Sequence, residues 1–417
     1  MNTSATLQAI IAANRAGERR GIASWCTAHP DTLRAILRAH AGRQDRVLIE
    51  ATCNQVNQHG GYTGMTPAAF RSFVESLAAE TGFDTRRLML GGDHLGPNPW
   101  KALPAAEAMA AAKVMVKAYV EAGFSKIHLD ASMACADDTL LTEETMAERA
   151  AELCAVAEAA ADQPLSYVIG TEVPIPGGET GALDGLAVTR PEAALRTHEL
   201  HSRSFARHGL AGALARVVGL VVQPGVDFGN AQVFSFDAVK AGALSSAIAK
   251  IPSAIFEAHS TDYQSAQSLA GLVAGQFAIL KVGPELTFAF REAVFAMAAM
   301  EDYLPVAEKS GVVATLEAVM DENDTYWREY VESGDKQRAL KLFGLSDRVR
   351  YYWPDPRLGH AVARLKSNID AAAVPPGLLA QYAGENIGHD CSLPLSARII
   401  AAKVGAVAAK YLAACGS

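Results

Sequence analysis

Short apolar runs alternate with longer alanine-rich stretches between Gly21 and about Phe290. The runs have the length of buried strands, and the stretches between them are long enough for helices. The predicted strands are 21–27, 46–53, 88–92, 126–131, 164–171, 216–222, 253–258 and 277–282. The predicted helices are 31–43, 67–82, 104–123, 142–161, 191–209, 235–249 and 263–275. A repeated strand-then-helix order implies right-handed crossovers, so the pattern predicts a parallel sheet.

Eight strands within roughly 250 residues match the size of a closed (β/α)8 barrel, or TIM barrel. A doubly wound α/β sheet would instead need a Gly-x-Gly-x-x-Gly turn after its first strand. Residues 26–30 read Cys-Thr-Ala-His-Pro at that place and do not form such a turn. The sequence therefore favours the barrel.

The strand signals stop after about residue 292, and the rest of the chain reads as helical. Aromatic- or proline-rich breaks interrupt it at 351–354 and 373–376. We predict a barrel domain with an N-terminal helix over 1–291, and a helical extension over 292–417 that packs on the barrel. Whether the extension covers the site or forms an interface stays open at this stage.

Charge and composition exclude several classes of protein. The net charge is −8, and the Lys and Arg residues are scattered, so we expect neither a nucleic-acid nor a membrane partner. No apolar signal core or membrane-spanning run is present. The six cysteines form no Cys-x-x-Cys pair, which favours free, mostly buried thiols in a reducing cytoplasm. We expect a cytoplasmic homo-oligomer.

Polar residues recur where the predicted strands end, and in a barrel these ends converge on one mouth. In chain order they are Asn54, Asp93, His94, Asp130, Ser132, Glu172, Gln223, His259, Lys281 and Glu285. Of these, we expect Asn54, Asp130, Ser132, Gln223 and Lys281 to bind the substrate. Buried carboxylates and imidazoles are costly unless they are paired, so a metal or a polar network is expected among them.

The stretch 91–96, Gly-Gly-Asp-His-Leu-Gly, directly follows an apolar run. Its glycines would let a ligand approach the backbone closely. A solvated Asp-His pair in a loop is the alternative. The segment 128–132 has two interpretations, a hydrogen-bonded inner layer or a support for metal ligands. The doubled prolines and glycines of 170–179 favour a functional loop over a turn that Glu172 merely caps.

His94, His259 and a carboxylate such as Glu172 would make a set of two imidazoles and one carboxylate with open positions for substrate. Such a set suits Zn²⁺ or Mn²⁺ acting as a Lewis acid on a carbonyl. Asp93 would then move a proton near the metal, and Glu172 is expected to be a catalytic residue as well as a ligand. For His259 the alternative is a hydrogen-bonded core histidine. His198, His201 and His208 share one predicted helix and are expected at a surface or interface.

A phosphate cradle is expected where the seventh and eighth strands end, as in other barrels of this kind. The residues available there, with one glycine after the sixth strand, are Gly225, Ser260, Thr261, Lys281, Gly283 and Thr287. Ordinary turn chemistry is the alternative. No Gly-x-x-x-x-Gly-Lys-Ser/Thr element occurs, which argues against a nucleotide-cleaving kinase.

Five segments carry a family resemblance that spans essentially the whole chain. They are 50–58 (Glu-Ala-Thr-Cys-Asn-Gln-Val-Asn-Gln), 91–98 (Gly-Gly-Asp-His-Leu-Gly-Pro-Asn), 170–179 (Gly-Thr-Glu-Val-Pro-Ile-Pro-Gly-Gly-Glu), 257–263 (Glu-Ala-His-Ser-Thr-Asp-Tyr) and 346–354 (Ser-Asp-Arg-Val-Arg-Tyr-Tyr-Trp-Pro). They resemble the non-catalytic Z subunit family of D-tagatose-1,6-bisphosphate aldolase. That family is itself similar to the class II, metal-dependent aldolases, which are (β/α)8 barrels.

The resemblance to class II aldolases implies roles for individual residues. Asp93 matches their catalytic aspartate, while His94 and His259 match two zinc ligands. Asp130 and Ser132 match their fourth-strand Asp-x-Ser.

Glu172 and the Gly-Gly-Glu at 177–179 match a glutamate and its loop. Gln223 departs from the pattern, because a zinc-binding histidine stands there in the aldolases and an amide is a weaker ligand. The segment 283–287 also departs from their phosphate-binding segment.

The family implies two functions for a sugar-phosphate substrate. One is an accessory subunit that stabilises and activates a class II aldolase catalytic subunit. The other is a 4-epimerase that converts D-tagatose 6-phosphate into D-fructose 6-phosphate.

The chemistry of C4 bears on this choice, because the C4 proton of a 2-ketose is not adjacent to the carbonyl. Inversion requires either oxidation by a dinucleotide or cleavage and re-formation of the C3–C4 bond. The chain lacks a dinucleotide fingerprint and carries most of an aldolase's metal and acid/base set, which favours retro-aldol epimerisation. The accessory subunit is the alternative.

Overall fold

The computed structural model describes residues 3–171, 186–384, 387 and 392–416. Eight parallel strands close into a barrel in which the first strand pairs with both the second and the eighth, so the predicted (β/α)8 TIM barrel is confirmed. In chain order the barrel strands are Ile22–Trp25, Val47–Thr52, Leu88–Leu95, Lys126–Leu129, Ser166–Ile169, Val217–Val222, Ile255–Ala258 and Phe277–Val282. Asp227–Phe228 and Val233–Phe234 form a small antiparallel hairpin after the sixth strand.

Helices surround the barrel and continue through the tail. The α-helices in the described ranges are Thr3–Arg15, Pro30–Ala39, Pro67–Glu80, Ala105–Glu121, Glu143–Ala160, Pro191–Arg207, Ala211–Leu214, Ala238–Ala247, Ala266–Ala274, Pro284–Glu301, Val312–Glu322, Gln337–Phe343, Pro356–Ala371, Pro376–Ala383 and Leu395–Ala414. Short 3-10 helices are Gly61–Thr63, Thr85–Arg87, Asn98–Trp100, Ile248–Lys250, Arg328–Tyr330 and Arg348–Tyr351.

Side chains that accept hydrogen bonds from free backbone N–H groups define several helix starts. Thr66 accepts from the amide of Ala69, and Thr142 does the same for Thr145. Proline in the first turn, as at Pro67, lacks an N–H that would otherwise need a partner. These local signals explain why the helix positions were readable from the sequence.

The N-terminal helix Thr3–Arg15 lies across the end of the barrel where the strands begin. Arg15 donates to the carbonyl of Ala254, at 2.6 Å, just before the seventh strand. Asn14 Nδ2 donates to the carbonyl of Val273, at 2.9 Å, before the eighth strand. This end is therefore closed by protein, and the ends where the strands finish are left for a site.

The tail is part of the helical layer around the barrel. Its last helix, Leu395–Ala414, packs against Pro30–Ala39, Ala266–Ala274 and Pro284–Glu301. The helix Pro284–Glu301 also crosses the boundary predicted between 291 and 292. Division of the chain into two domains stays a prediction.

The remaining bulk predictions concern thiols and membranes. The five cysteines in the described ranges are free thiols, and all except the half-buried Cys26 are buried. Within the same ranges, no helix combines the length and apolar character that a membrane crossing requires.

Candidate active site

The third strand ends in a strained turn that delivers Asp93 and His94. Its pairing with the fourth strand shifts register between Gly92 and Leu95, as at a β-bulge. His94 lies in the left-handed region at φ 51°, which costs a residue with a side chain about 1–3 kcal/mol. Ser260, after the seventh strand, has the same φ of 51°. Such strain is typical of functional sites, where the surrounding structure holds it in place.

The glycines around Asp93 make room for protein groups. A Cβ atom on Gly91 would lie 2.4 Å from Oε1 of Glu50, and one on Gly96 would lie 1.5 Å from the carbonyl oxygen of Asp130. The expectation that these glycines admit a ligand is therefore corrected at both positions. Their lack of a side chain instead leaves space for the carboxylate of Glu50 and for the backbone at the end of the fourth strand.

Three buried imidazoles meet next to Asp93. The ring centroids of His94 and His259 lie 4.9 Å apart, those of His94 and His128 5.1 Å, and those of His128 and His259 5.3 Å. Each ring and Asp93 offers one ligand atom, and these four atoms all lie within 4.8 Å of one another. Zinc ligands bind at about 2.0–2.3 Å, so small movements would gather them around one cation.

His128 belongs to this cluster, although the sequence suggested only an inner-layer or supporting place for it. It was missed because it lies within the fourth strand, one residue before the strand's end. Alternation places Lys126, His128 and Asp130 on one face of the strand, but it does not show that His128 meets His94 and His259.

Carboxylates hold two of the rings in place. Nδ1 of His94 lies 2.8 Å from Oδ2 of Asp130, and Ser132 Oγ donates to Oδ1 of the same carboxylate at 2.6 Å. Nε2 of His259 lies 3.0 Å from Oε1 of Glu257. Carboxylates that bond the second ring nitrogen fix the orientation of metal-binding histidines. Asp130 and Ser132 therefore support His94 from behind.

Asp93 is ionised despite its burial. Burial opposes ionisation, but His94 and Lys281 hold the pKa of Asp93 well below its usual value. Lys281 Nζ lies 2.9 Å from Oδ1, and Nδ1 of His128 lies 3.0 Å from the same oxygen. Burial lowers the pKa of His259 to about 4, which keeps this ring neutral and able to bind a metal.

A fully buried charged layer lies beneath the imidazoles. Lys126 Nζ lies 2.7 Å from Oε1 of Glu50 and 2.7 Å from Oε2 of Glu257. Lys281 pairs with Glu50 as well as with Asp93. The sequence did not predict the pair of Glu50 with Lys126, because this contact joins the second strand to the fourth.

These charges fit a divalent cation. Among the described residues of the layer and of the imidazole cluster above it, Glu50, Asp93, Asp130 and Glu257 are carboxylates and only Lys126 and Lys281 are ammonium groups. These carboxylates and ammonium groups leave an excess of two negative charges, and buried charges are costly unless they are paired. Burial opposes protonation of His94, but Asp93 and Asp130 raise the pKa of this ring. A bound cation would offset the same excess. Nε2 of His128 is also buried without a hydrogen-bond partner. The donor set of nitrogen and carboxylate oxygen suits Zn²⁺ or Mn²⁺.

A cavity of about 560 Å³ opens above the cluster. The predicted site residues that line it are Asn54, Asp93, His94, His259, Ser260, Lys281, Gly283 and Thr287. Part of the tail also lines it, namely Arg350, Tyr351, Trp353 and the helix from Pro356. The extension therefore contributes to the site, which the sequence left open.

Three predicted substrate-binding residues are engaged in local structure. The side-chain oxygen of Gln223 accepts from the amides of Gly225, at 2.8 Å, and Val226, at 3.0 Å. Thr261 Oγ1 donates to the carbonyl of Lys281 at 2.6 Å. The predicted substrate-binding residues that are not among the described residues lining the cavity are Asp130, Ser132, Gln223, Gly225 and Thr261.

The predicted phosphate cradle already holds a carboxylate. Oδ1 of buried Asp262 accepts from the amide of Gly283 at 3.0 Å and from that of Glu285 at 2.8 Å. Thr287 Oγ1 bonds to Oδ2 of Asp347 at 2.5 Å. The start of helix Pro284–Glu301 is therefore capped by Asp262, so the two amides that would bind a phosphate there already have an acceptor. Burial and the neighbouring Glu285 raise the pKa of Asp262 to about 7.

Two other predictions concern residues away from this cluster. Glu172, predicted as a metal ligand and catalytic group, lies outside the described residues. His201 was expected near a surface but is buried, with Nδ1 2.8 Å from the carbonyl of Thr197. His198 is half-buried on the same helix, and His208, directly after it, is exposed.

Comparisons with known proteins extend this description. The model of the family described as D-tagatose-1,6-bisphosphate aldolase subunit GatZ/KbaZ-like matches residues 7–416. The chain is 50% identical over 380 residues to the D-tagatose-1,6-bisphosphate aldolase subunit GatZ of Klebsiella pneumoniae subsp. pneumoniae, covering 89% of this chain and 90% of that protein. It is 49% identical over 383 residues to the subunit of the same name from Escherichia coli strain SMS-3-5, covering 90% of this chain and 91% of that protein.

A solved structure shares the whole architecture. It is a probable tagatose 6 phosphate kinase from Sinorhizobium meliloti 1021, with a TM-score of 0.87 and 45% sequence identity. The match covers 95% of this chain and 100% of that one. Barrel and tail are thus shared with a protein of known structure.

Proposed function

Because this chain belongs to the D-tagatose-1,6-bisphosphate aldolase subunit GatZ/KbaZ-like family, we propose that it acts as a subunit of a class II D-tagatose-1,6-bisphosphate aldolase. The observation that carries this proposal is the near-full-length identity of about half to proteins named as that subunit. Of the two functions implied by the resemblance, these relatives favour the accessory subunit over the epimerase. The partner would be a separate catalytic chain, and the ligand of the cavity a ketohexose phosphate.

The experiment combines the purified chain with the catalytic aldolase subunit encoded by the same organism. We expect the pair to form a complex and the aldolase to gain activity and thermal half-life, measured as cleavage of D-tagatose 1,6-bisphosphate. An aldolase that is equally active and durable alone, with no complex in size-exclusion chromatography, would contradict the proposal. Self-association of this chain, also predicted, is read from the same chromatogram.

A second candidate, the 4-epimerase, is favoured by one specific observation. Asp93, three imidazoles and Lys281 lie together at the base of a substrate-sized cavity. A chain that only stabilises a partner does not need an ionised aspartate beside three imidazoles that can bind a metal. A kinase is not favoured, because the chain lacks a phosphate-binding Gly-x-x-x-x-Gly-Lys-Ser/Thr loop.

The epimerase reaction can be written with the residues of this site. Asp93 accepts the proton of the C4 hydroxyl as the C3–C4 bond breaks, and the bonding electrons pass to C3 to give an enediolate and an aldehyde. Rotation of the aldehyde and re-addition to its opposite face inverts C4, and Asp93 returns the proton. His94, His128 and His259 would hold a divalent metal, which supplies Lewis-acid stabilisation of negative charge on the substrate oxygens when bound.

The two candidates are separated by assaying this chain alone. With Mn²⁺ or Zn²⁺ present, an epimerase converts D-tagatose 6-phosphate into D-fructose 6-phosphate without a partner. Absence of conversion with either metal, together with stimulation of the aldolase, leaves the accessory role as the function. Conversion without any effect on the aldolase reverses that choice.

A further inference from the structure

The positively charged side chains that line the cavity differ in whether a carboxylate pairs with them. Among the described lining residues, four are Lys or Arg, and three of them are paired with carboxylates. Arg34 Nη1 lies 3.1 Å from Asp31, and Lys366 pairs with the same aspartate. Lys281 pairs with Asp93. These three charges are neutralised by the protein.

Arg350 is the exception. Its Nη1 donates to the carbonyls of Ser346 and, at 3.0 Å, Asp347, and its Nη2 donates to the Tyr351 hydroxyl at 3.0 Å. In the described part of the chain it forms no ion pair within 4.0 Å with a carboxylate. The guanidinium is therefore held in place by neutral oxygens, and the carboxylate of Asp347 acts on its charge without forming an ion pair with it.

A second arginine strengthens the positive charge at this wall. Arg348 is buried, with its guanidinium 3.7 Å from the ring centroid of Tyr330 and 4.5 Å from that of Tyr351. Its Nη1 atom is buried and has no hydrogen-bond partner. Burial opposes ionisation of a phenol, but Arg350 and Arg348 lower the pKa of Tyr351 below its usual value. The two guanidinium groups thus make the surroundings of this phenol positive.

We propose that Arg350, with the hydroxyls of Tyr351 and Tyr62, forms the anion-binding end of the cavity and takes the phosphate group of a ketohexose phosphate. The rings of the two tyrosines lie 4.7 Å apart at 63°, and both line the cavity. A guanidinium fork binds phosphate through two parallel N–H bonds, which a lysine cannot copy. The proposal rests on the proposed function for its sugar-phosphate ligand.

This position replaces the cradle expected at the ends of the seventh and eighth strands. There the backbone amides of Gly283 and Glu285 already bind Asp262. The 3-10 helix Arg348–Tyr351 of the tail supplies instead an arginine that the barrel itself does not. The tail would therefore select phosphorylated over free sugars, while the strand ends hold the reacting carbons.

The test measures binding of D-fructose 6-phosphate, D-fructose and inorganic phosphate by isothermal titration calorimetry. Wild-type protein should bind the phosphorylated sugar at least about tenfold more tightly than the free sugar, as charged hydrogen bonds imply. Arg350→Gln should weaken binding of D-fructose 6-phosphate and of inorganic phosphate by about tenfold or more, and leave D-fructose unchanged. Arg203→Gln, at an exposed position of helix Pro191–Arg207, makes the same change in net charge and should alter none of the three.

Arg350→Lys guards against a folding defect, because Arg350 also bonds to two carbonyls of its own turn. It keeps the charge but loses the fork, so affinity for D-fructose 6-phosphate should fall between those of wild type and Arg350→Gln. Equal affinities of wild type and Arg350→Lys for D-fructose 6-phosphate would overturn the subsite. The same holds if Arg350→Gln loses as much affinity for D-fructose as for D-fructose 6-phosphate.

The subsite and the proposed function can fail separately. Arg350→Gln could selectively lose phosphate binding while wild-type protein neither stimulates the aldolase nor epimerises D-tagatose 6-phosphate. That result would support the subsite and overturn the proposed function. Conversely, wild-type protein could stimulate the aldolase while Arg350→Gln binds D-fructose 6-phosphate as tightly as wild type. That result would overturn the subsite and leave the proposed function standing.

Discussion

Asp93 has two oxygens with different surroundings, and this difference bears on its chemistry. Oδ1 lies 2.9 Å from Lys281 Nζ and 3.0 Å from Nδ1 of His128. Oδ2 faces Nε2 of His94 at a longer 3.7 Å and the thiol of Cys26 at 3.9 Å. Lys281 therefore anchors one oxygen, and the other is available to exchange a proton with a substrate hydroxyl. Lys281 acts here as a positioning residue.

Asp93→Asn tests this assignment. An amide cannot accept the C4 proton, so epimerase turnover should fall by about 10²–10⁴-fold, the usual contribution of a general base. Metal content should stay close to that of wild type, because three imidazoles are enough for a metal site. The readouts are D-fructose 6-phosphate formation and metal content by mass spectrometry.

Asp162→Asn is the matched control, at an exposed position before the fifth strand. It should change neither readout. Loss of metal together with turnover in Asp93→Asn would show that Asp93 is mainly a ligand. Unchanged turnover would remove Asp93 from the mechanism.

The sequence located residues at strand ends better than residues within strands. His94 and His259 could be placed together because both follow apolar runs whose ends must converge in a barrel. Glu50, Lys126 and His128 lie inside strands, and their side chains meet only once the barrel closes. Arg350 lies beyond the barrel in sequence and reaches the cavity through the packing of the tail, which periodicity does not encode.

Among the elements of the barrel, the third strand needs a glycine at position 91, because a side chain of the second strand occupies the space beside it. The Glu50 side chain occupies the space in which a Cβ of Gly91 would lie, only 2.4 Å from its Oε1 atom. Because Glu50 pairs with both Lys126 and Lys281, it cannot move away without breaking buried ion pairs. The strand thus admits one carboxylate into the barrel at a defined place.

Gly91→Ala should therefore lower the free energy of unfolding by about 1–3 kcal/mol through overpacking. Gly242→Ala is the control, since its Cβ would meet nothing within 4 Å and it lies inside helix Ala238–Ala247. That change should raise the free energy by about 0.5–1 kcal/mol. Both are measured by urea denaturation, and equal effects would show that Glu50 adapts to the added methyl group.

The helix Pro191–Arg207 carries a buried histidine that makes stability depend on pH. Burial lowers the pKa of His201 to about 4, below its unfolded value of 6.5. The unfolded chain therefore binds more protons between these values, and the folded state loses stability as pH falls from 6.5 towards 4. The loss is about 1.4 kcal/mol per pH unit, or roughly 2 kcal/mol at pH 5.

His201→Phe removes the titrating group and keeps a ring at this position. Between pH 7 and pH 5 its free energy of unfolding should fall by roughly 2 kcal/mol less than that of wild type. Replacing the exposed His360 by phenylalanine should leave the pH dependence unchanged. Parallel wild-type and His201→Phe curves would show that the buried ring titrates normally.

Strand and helix positions were predictable because period and turn signals are local. Predicted strand 277–282 and predicted helix 191–209, for instance, agree with the observed elements to within two residues at each end. The phosphate cradle was not predictable in the same way. Its donors are consumed by Asp262, a contact that joins the loop after the seventh strand to the start of the helix after the eighth.

At the scale of the whole molecule, the last helix ties the tail to the site. Tyr411 donates its hydroxyl hydrogen to the carbonyl of Thr261 at 2.7 Å, two residues after His259. Lys410 on the same helix pairs with Glu285, at the start of the helix that follows the eighth strand. The tail thus fixes two loops at the cavity and supplies part of its wall.

The charge excess in the barrel predicts that a divalent cation stabilises the entire fold. A ligand that binds only the folded state adds about 2.7 kcal/mol at a concentration 100 times its dissociation constant. We expect Mn²⁺ or Zn²⁺ to raise the melting temperature of chelator-treated protein by a few degrees. The reason is that two buried negative charges and the free Nε2 of His128 gain a partner.

His128→Gln should remove most of this increase, while His360→Gln, at an exposed position, should retain it. Sodium chloride at matched ionic strength controls for general screening, which does not reach a buried cluster. An equal increase in both variants would place the cation elsewhere on the protein. No increase in wild type with either metal would mean that Lys126 and Lys281 suffice to hold the carboxylates, and the imidazole cluster would then be a hydrogen-bonded core rather than a metal site.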